Sequence, residues 1–217
     1  MPVVLFVALL ALSLPIATGL RVWGRRPPAP LGWLMVWCAL LLTSGLLDIV
    51  VAYTAGNNLW LSYIFMPLEV VVALLMLACW QPSNALARGY RLVIPLILAG
   101  TAVVLLFTEG AETFDMWVMP LLSLLALVGT MHTLVHRTVL SRGLLTGYDW
   151  FWVCLGFSVY WVGFVGVPVF HKAFISTYPG WVRAAYETRA WTNVAAFLLM
   201  TWGMLCQRPT LQLSGRS

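Results

Sequence analysis

The sequence predicts an all-α membrane protein: a bundle of seven transmembrane helices, N-terminus outside and C-terminus in the cytoplasm. Three observations predict it. Apolar residues make up 62% of the chain and charged residues only 9%, against about 25% charged in a soluble domain, so there is too little polar material to clothe a water-soluble surface. The apolar residues fall in repeated runs long enough to cross a bilayer. Those runs are apolar on every face, whereas a membrane barrel needs alternating segments. Helices satisfy their own backbone groups in lipid, so helices are the expected spanning form.

The first span covers residues 2–20. It has no Lys or Arg before Arg21, and a signal peptide starts with a positive region, so it is expected to stay in the mature protein. The segment RVWGRRPPAP follows, where a proline cluster prevents helix continuation. The second span, 31–53, ends at the turn TAGNN, and the third covers 59–80. QPSNALARGYR is read as a loop before the fourth span, 92–107. An acidic loop with Glu109, Glu112 and Asp115 leads to the fifth span, 117–136. The sixth, 150–170, and seventh, 181–206, are joined by HKAFISTYPG. All of this is one transmembrane domain, 1–217, with no separate soluble domain and no residue-level repeat. A three-plus-one-plus-three layout, as in some transporters and opsins, is an analogy of arrangement only.

Orientation follows from the cations. Arg21, Arg25, Arg26, Arg88, Arg91, Arg137 and Arg142 fall after spans one, three and five, and Arg208 and Arg216 in the tail. The opposite side has Lys172, with Arg183 and Arg189 in the start of span seven. Positive loops stay cytoplasmic, which puts the C-terminus inside. Trp23, Trp33, Trp80, Trp150 and Trp152 then fall at the inner interface and Trp60, Trp117 and Trp181 at the outer one, as in an aromatic belt. Cys79, Cys154 and Cys206 lie toward the cytoplasmic ends, with Cys38 a little deeper, and no CxxC occurs. Free thiols are expected in that reducing setting.

The net charge of +5 does not suggest nucleic acid, because the arginines are scattered between apolar runs rather than clustered. HExxH, GxSxG and glycine-rich phosphate loops are absent. Covalent retinal attachment needs a lysine in the last span, and the lone lysine, Lys172, is outside it. No catalytic set, metal or cofactor is expected. His132 and His136 have the i, i+4 spacing of a metal pair but no apparent third ligand.

Ionisable residues inside a bilayer are costly and mark functional positions by default. Glu69 is the most informative, about 15 Å from the start of span three at 1.5 Å per residue. A bare carboxylate there costs several kcal/mol, so it is expected to be protonated or paired. It is either a ligand contact, proton site or cation partner, or a protonated group bonding a neighbouring helix. Asp48 shares a face of span two with Ser44, and Ser62 shares one of span three with Glu69. Tyr186, Arg189 and Asn193 recur at helical spacing on span seven. Together Asp48, Asn58, Ser62, Glu69, Tyr186, Arg189 and Asn193 form the candidate ligand-binding set, a polar cavity open to the outside. The same faces serve equally as interhelical hydrogen bonds holding the bundle.

The stretch NNLWLSYIFMPLE, Asn57 to Glu69, resembles a segment of small bacterial seven-span proteins, in which an asparagine-bearing turn precedes an aromatic-rich helix with proline and glutamate two apart. The resemblance implies a bacterial inner-membrane setting. It adds interest to Asn58, Pro67 and Glu69 and carries over nothing catalytic. The expected function is a sensory or receptor-like module that binds a small ligand from the outer side and acts through a separate membrane or cytoplasmic signalling partner. A small-solute transporter is the alternative, and a structural subunit of a membrane complex comes after it.

Overall fold

The structure, a computed structural model, describes residues 2–23, 26–54, 58, 60–107, 118–141, 143–174 and 177–206. The acidic loop, Arg25, Asn57, Trp117, Arg142 and the tail with Arg208 and Arg216 lie outside the described residues. Among the described residues the chain forms seven α-helices: α1 Pro2–Trp23, α2 Ala29–Thr54, α3 Trp60–Cys79, α4 Asn84–Phe107, α5 Val118–Leu140, α6 Asp149–Phe174 and α7 Pro179–Leu205. A short 3-10 turn, Leu145–Gly147, precedes α6.

Six of the helices, α1 to α6, are long and apolar enough to cross a membrane. α7 has the length, 27 residues, or about 40 Å at 1.5 Å per residue. It lacks the apolarity, because Arg183, Glu187 and Arg189 all fall in its first half. The outside of the bundle is apolar, with Leu96, Leu106 and Val139 more than 70% exposed, and is compatible with a surrounding bilayer.

α1 packs between α7 and α2, α2 against α3, α3 against α5, α5 against α6 and α6 against α7, closing a six-helix ring. α4 stands outside that ring, packed mainly on α3 and joined to α5 through Tyr90. α3 is the most enclosed of the six apolar helices. The tightest seam is between α6 and α7, where Gly156 and Gly203 let the backbones approach. A Cβ on Gly156 would lie 2.7 Å from the carbonyl oxygen of Ala196. Small residues at a helix crossing are how membrane helices gain packing contacts when lipid is as apolar as their own side chains.

Helix ends differ from the sequence expectation at several places. α4 begins at Asn84 rather than at residue 92. The Ser83 hydroxyl accepts the Leu86 N–H at 3.3 Å, an N-cap that starts the helix inside what reads as a polar loop. α5 runs on to Leu140, and the Arg137 Nε–H donates to the Trp80 carbonyl. α6 runs on to Phe174. Trp80 and Trp150 are buried, at 1% and 0% exposure, so they pack inside the bundle rather than on its outer face. Trp60 and Trp181 are exposed. All four cysteines are free.

Candidate functional site: a charged cavity at one end of the bundle

The start of α1, the end of α2, the start of α3, the end of α6 and the start of α7 share one end of the antiparallel bundle. A cavity of about 260 Å³ lies there. α2 contributes Ser44, Gly45 and Asp48 to its wall, and α3 contributes Ser62, Phe65 and Glu69. Ser44 and Asp48, one turn apart, and Ser62 and Glu69, two turns apart, keep to one face of their helices. α7 contributes Arg189, Asn193 and Phe197, and α6 contributes Tyr160 and Phe164. The α1 side is apolar: Ala8, Leu9 and Leu12.

Five of the seven candidate residues, Asp48, Ser62, Glu69, Arg189 and Asn193, therefore meet at one cavity. The other two stand off it. The Asn58 Nδ2 donates to the backbone carbonyl of Asp48 at 3.4 Å, tying the approach to α3 back to α2. Tyr186 is partly buried and lies three residues before Arg189.

Glu69 is only 5% exposed. Its Oε2 accepts a hydrogen bond from the Tyr160 hydroxyl at 3.3 Å. The Arg189 guanidinium lies flat over the Phe164 ring, its carbon 3.4 Å from the ring centroid. That cation–π contact holds the group by its face and leaves the N–H edge free to donate. Gly163 lies against the same stretch of α7: a Cβ there would sit 3.2 Å from Thr192 Oγ1 and in ordinary contact, 3.6 Å, with Arg189 Cγ. Asp48 and Arg189 face the same space but form no ion pair. Among the described residues the ion pair is Arg183 with Glu187, at 3.1 Å on the exposed side of α7, where such a pair contributes little. The Asn193 Oδ1 is buried with no hydrogen-bond partner among the described residues. A buried polar atom without a partner is costly, and here it lies on the wall of a cavity.

Below the cavity an aromatic layer closes the bundle. Trp37 from α2 packs on Phe157 at 4.4 Å and Tyr160 at 4.9 Å, and reaches Trp161 at 6.2 Å and Phe197 at 6.4 Å between centroids. Trp37, Phe157, Tyr160 and Trp161 are all 1% exposed or less. Tyr160 belongs to both layers, with its ring in the aromatic floor and its hydroxyl on Glu69.

A second polar cluster ties α3, α4 and α5 at the other end. The Tyr90 hydroxyl lies 2.8 Å from His132 Nδ1, 3.0 Å from Thr133 Oγ1 and 2.9 Å from the Gly129 carbonyl, to which it donates. Gln81 Nε2 donates to Thr133 Oγ1 at 2.9 Å. His132 is thus engaged by Tyr90, and among the described residues no group of three or more His, Cys, Asp or Glu is placed to hold a metal.

Sequence reasoning missed Tyr160 and Phe164, which position Glu69 and Arg189. The signal was present as the stripe Phe157, Tyr160, Trp161, Phe164 at helical spacing, one face of span six. Such a stripe also describes ordinary packing, so only the neighbouring helices reveal its use. Tyr90 was missed because its segment reads as a loop. No protein-family model, curated protein or solved structure matches the chain.

Proposed function

We propose that the chain is a seven-span receptor of the bacterial inner membrane, with α7 as the seventh span and the cavity end outside. It binds a small polar ligand in the cavity and acts through a separate partner. The observation that carries this reading is a set of charged and polar groups left unpaired around a space of about 260 Å³. Structural glue pairs its own polar groups across helices, whereas Asp48, Arg189 and the Asn193 oxygen face the space unanswered. The volume suits a ligand smaller than the drug-sized molecules held by pockets of about 300–1,000 Å³. Part of the lower apolarity of α7 belongs to the cavity, since Arg189 and Asn193 line it, while Arg183 and Glu187 pair on the exposed side near the helix start.

The alternative is a small-solute carrier, favoured by the place of Glu69, the tenth of the twenty residues of α3, since carriers bind at the membrane midplane. The aromatic floor argues for the receptor, because passage would require Trp37, Phe157 and Tyr160 to unpack. The test uses the purified protein in lipid nanodiscs and in vesicles. A fragment library of small polar molecules should give binders that raise the melting temperature. Gly45→Leu, which puts a side chain on the cavity wall, should abolish their binding and leave the protein folded. Uptake of a binder into vesicles would establish the carrier instead. A library without a single binder sensitive to Gly45→Leu removes both.

A further inference from the structure

The charges on the cavity wall are segregated, and the segregation points to a ligand class. Asp48 on α2 and Glu69 on α3 form an acidic side. Arg189 on α7, backed by Phe164, forms a basic one. α1 lies between α2 and α7 in the ring and offers only Ala8, Leu9 and Leu12. We infer that the cavity takes a small zwitterion, one ammonium and one carboxylate on a compact apolar body of amino-acid size. This rests on the receptor reading of the same cavity.

Each charge on the wall is best answered by an opposite charge on the ligand. A plain cation satisfies Asp48 but brings positive charge beside Arg189, whose guanidinium has no ion-pair partner among the described residues. A plain anion satisfies Arg189 and then faces two acidic side chains. A neutral polar molecule leaves both charges unmet, and an unmet buried charge is the costly case. A zwitterion satisfies both ends at once. Its ammonium donates to the Asp48 carboxylate, to the Glu69 oxygen that Tyr160 does not engage, or to the unpartnered Asn193 Oδ1. Its carboxylate accepts from the guanidinium edge, where a planar fork suits two parallel hydrogen bonds. Phe164 keeps that fork in place by holding the guanidinium face. The apolar body rests on the α1 leucines and Phe65, which gives the site a preference for aliphatic over polar side chains.

The experiment measures binding to the full chain in nanodiscs by calorimetry and by melting. The probes are glycine, leucine and phenylalanine, their carboxamides as matched cations and their N-acetyl forms as matched anions. The expected result is binding of at least one zwitterion, weakened about tenfold or more by removal of either charge. Asp48→Asn should weaken the zwitterion by a similar factor while leaving the N-acetyl form unaffected or improved. Arg189→Lys, which keeps the charge but loses the fork and the flat contact with Phe164, should weaken it as well. Equal binding of a carboxamide or an N-acetyl form overturns the zwitterion, and so does no binding of any zwitterion. The receptor reading is tested apart from this: a binder of another class that Gly45→Leu abolishes keeps the receptor and removes the zwitterion.

Discussion

Glu69 and Tyr160 show how a single ionisable residue is held inside an apolar bundle. The carboxyl group keeps one bond, from the Tyr160 hydroxyl, and otherwise faces the cavity. Interhelical hydrogen bonds in membrane proteins are worth about 0.6 kcal/mol on average. Tyr160→Phe, which keeps the ring in the aromatic layer, should therefore lower stability by about 0.5–1 kcal/mol. Glu69→Gln keeps size and hydrogen-bonding capacity and should leave the melting temperature nearly unchanged. It should nonetheless weaken ligand binding severalfold, because the acidic side loses one of its two groups. Equal binding by wild type and Glu69→Gln, measured by calorimetry, would make Glu69 a packing residue. Glu69 stood out in the sequence because an acidic residue in an apolar run has no cheap alternative. Tyr160 did not, because a tyrosine in such a run is common and its partner lies 91 positions away.

At the scale of elements, α6 and α7 are held by backbone proximity. A Cβ on Gly156 meets the Ala196 carbonyl oxygen at 2.7 Å and Met200 Cγ at 2.8 Å. On the other helix, a Cβ on Gly203 meets Val153 Cγ2 at 2.7 Å. A carbonyl oxygen cannot rotate away as a flexible side chain can, so the helices must separate to admit a methyl group. Gly156→Ala should cost about 1–3 kcal/mol, as overpacking does. Gly100→Ala on α4, where a Cβ meets nothing within 4 Å, should cost nothing, alanine being the better helix former. Unfolding of the two variants in mixed micelles compares them directly, and equal stability would remove the close-approach argument. Neither glycine declares its role in sequence. Both lie in apolar runs, and what separates them is the presence or absence of a neighbouring backbone. Helix ends behave similarly: Ser83 caps α4 within a segment whose arginines read as loop.

At the scale of the whole molecule, the ring brings the candidate polar residues to one end, and the free cysteines Cys79, Cys154 and Cys206 fall toward the other. In the orientation proposed above, which the arginine bias supports, the cysteine end is cytoplasmic. A cytoplasm-active reporter fused after Ser217 should be active, and a periplasm-active reporter inserted between Glu109 and Asp115 should be active as well. Cytoplasmic activity at the acidic loop would contradict seven spans in this orientation.

Composition and run length by themselves determined that the chain is helical, that its helices are built for lipid, and where each apolar run lies. Those properties are sums over neighbouring residues, and transfer from water to hydrocarbon depends on such sums. The costly residues Asp48, Glu69 and Arg189 also stand out in the sequence, because each is expensive wherever it points. Only the tertiary structure decided that they share one cavity, that Asp48 and Arg189 leave each other unpaired, and that Tyr160 and Phe164 hold Glu69 and Arg189. It also decided that α4 stands outside the ring. The physical reason is rotation and neighbourhood. An apolar run that can face lipid on any side carries little record of which side faces its partners, so the facing is settled by packing between helices distant in sequence.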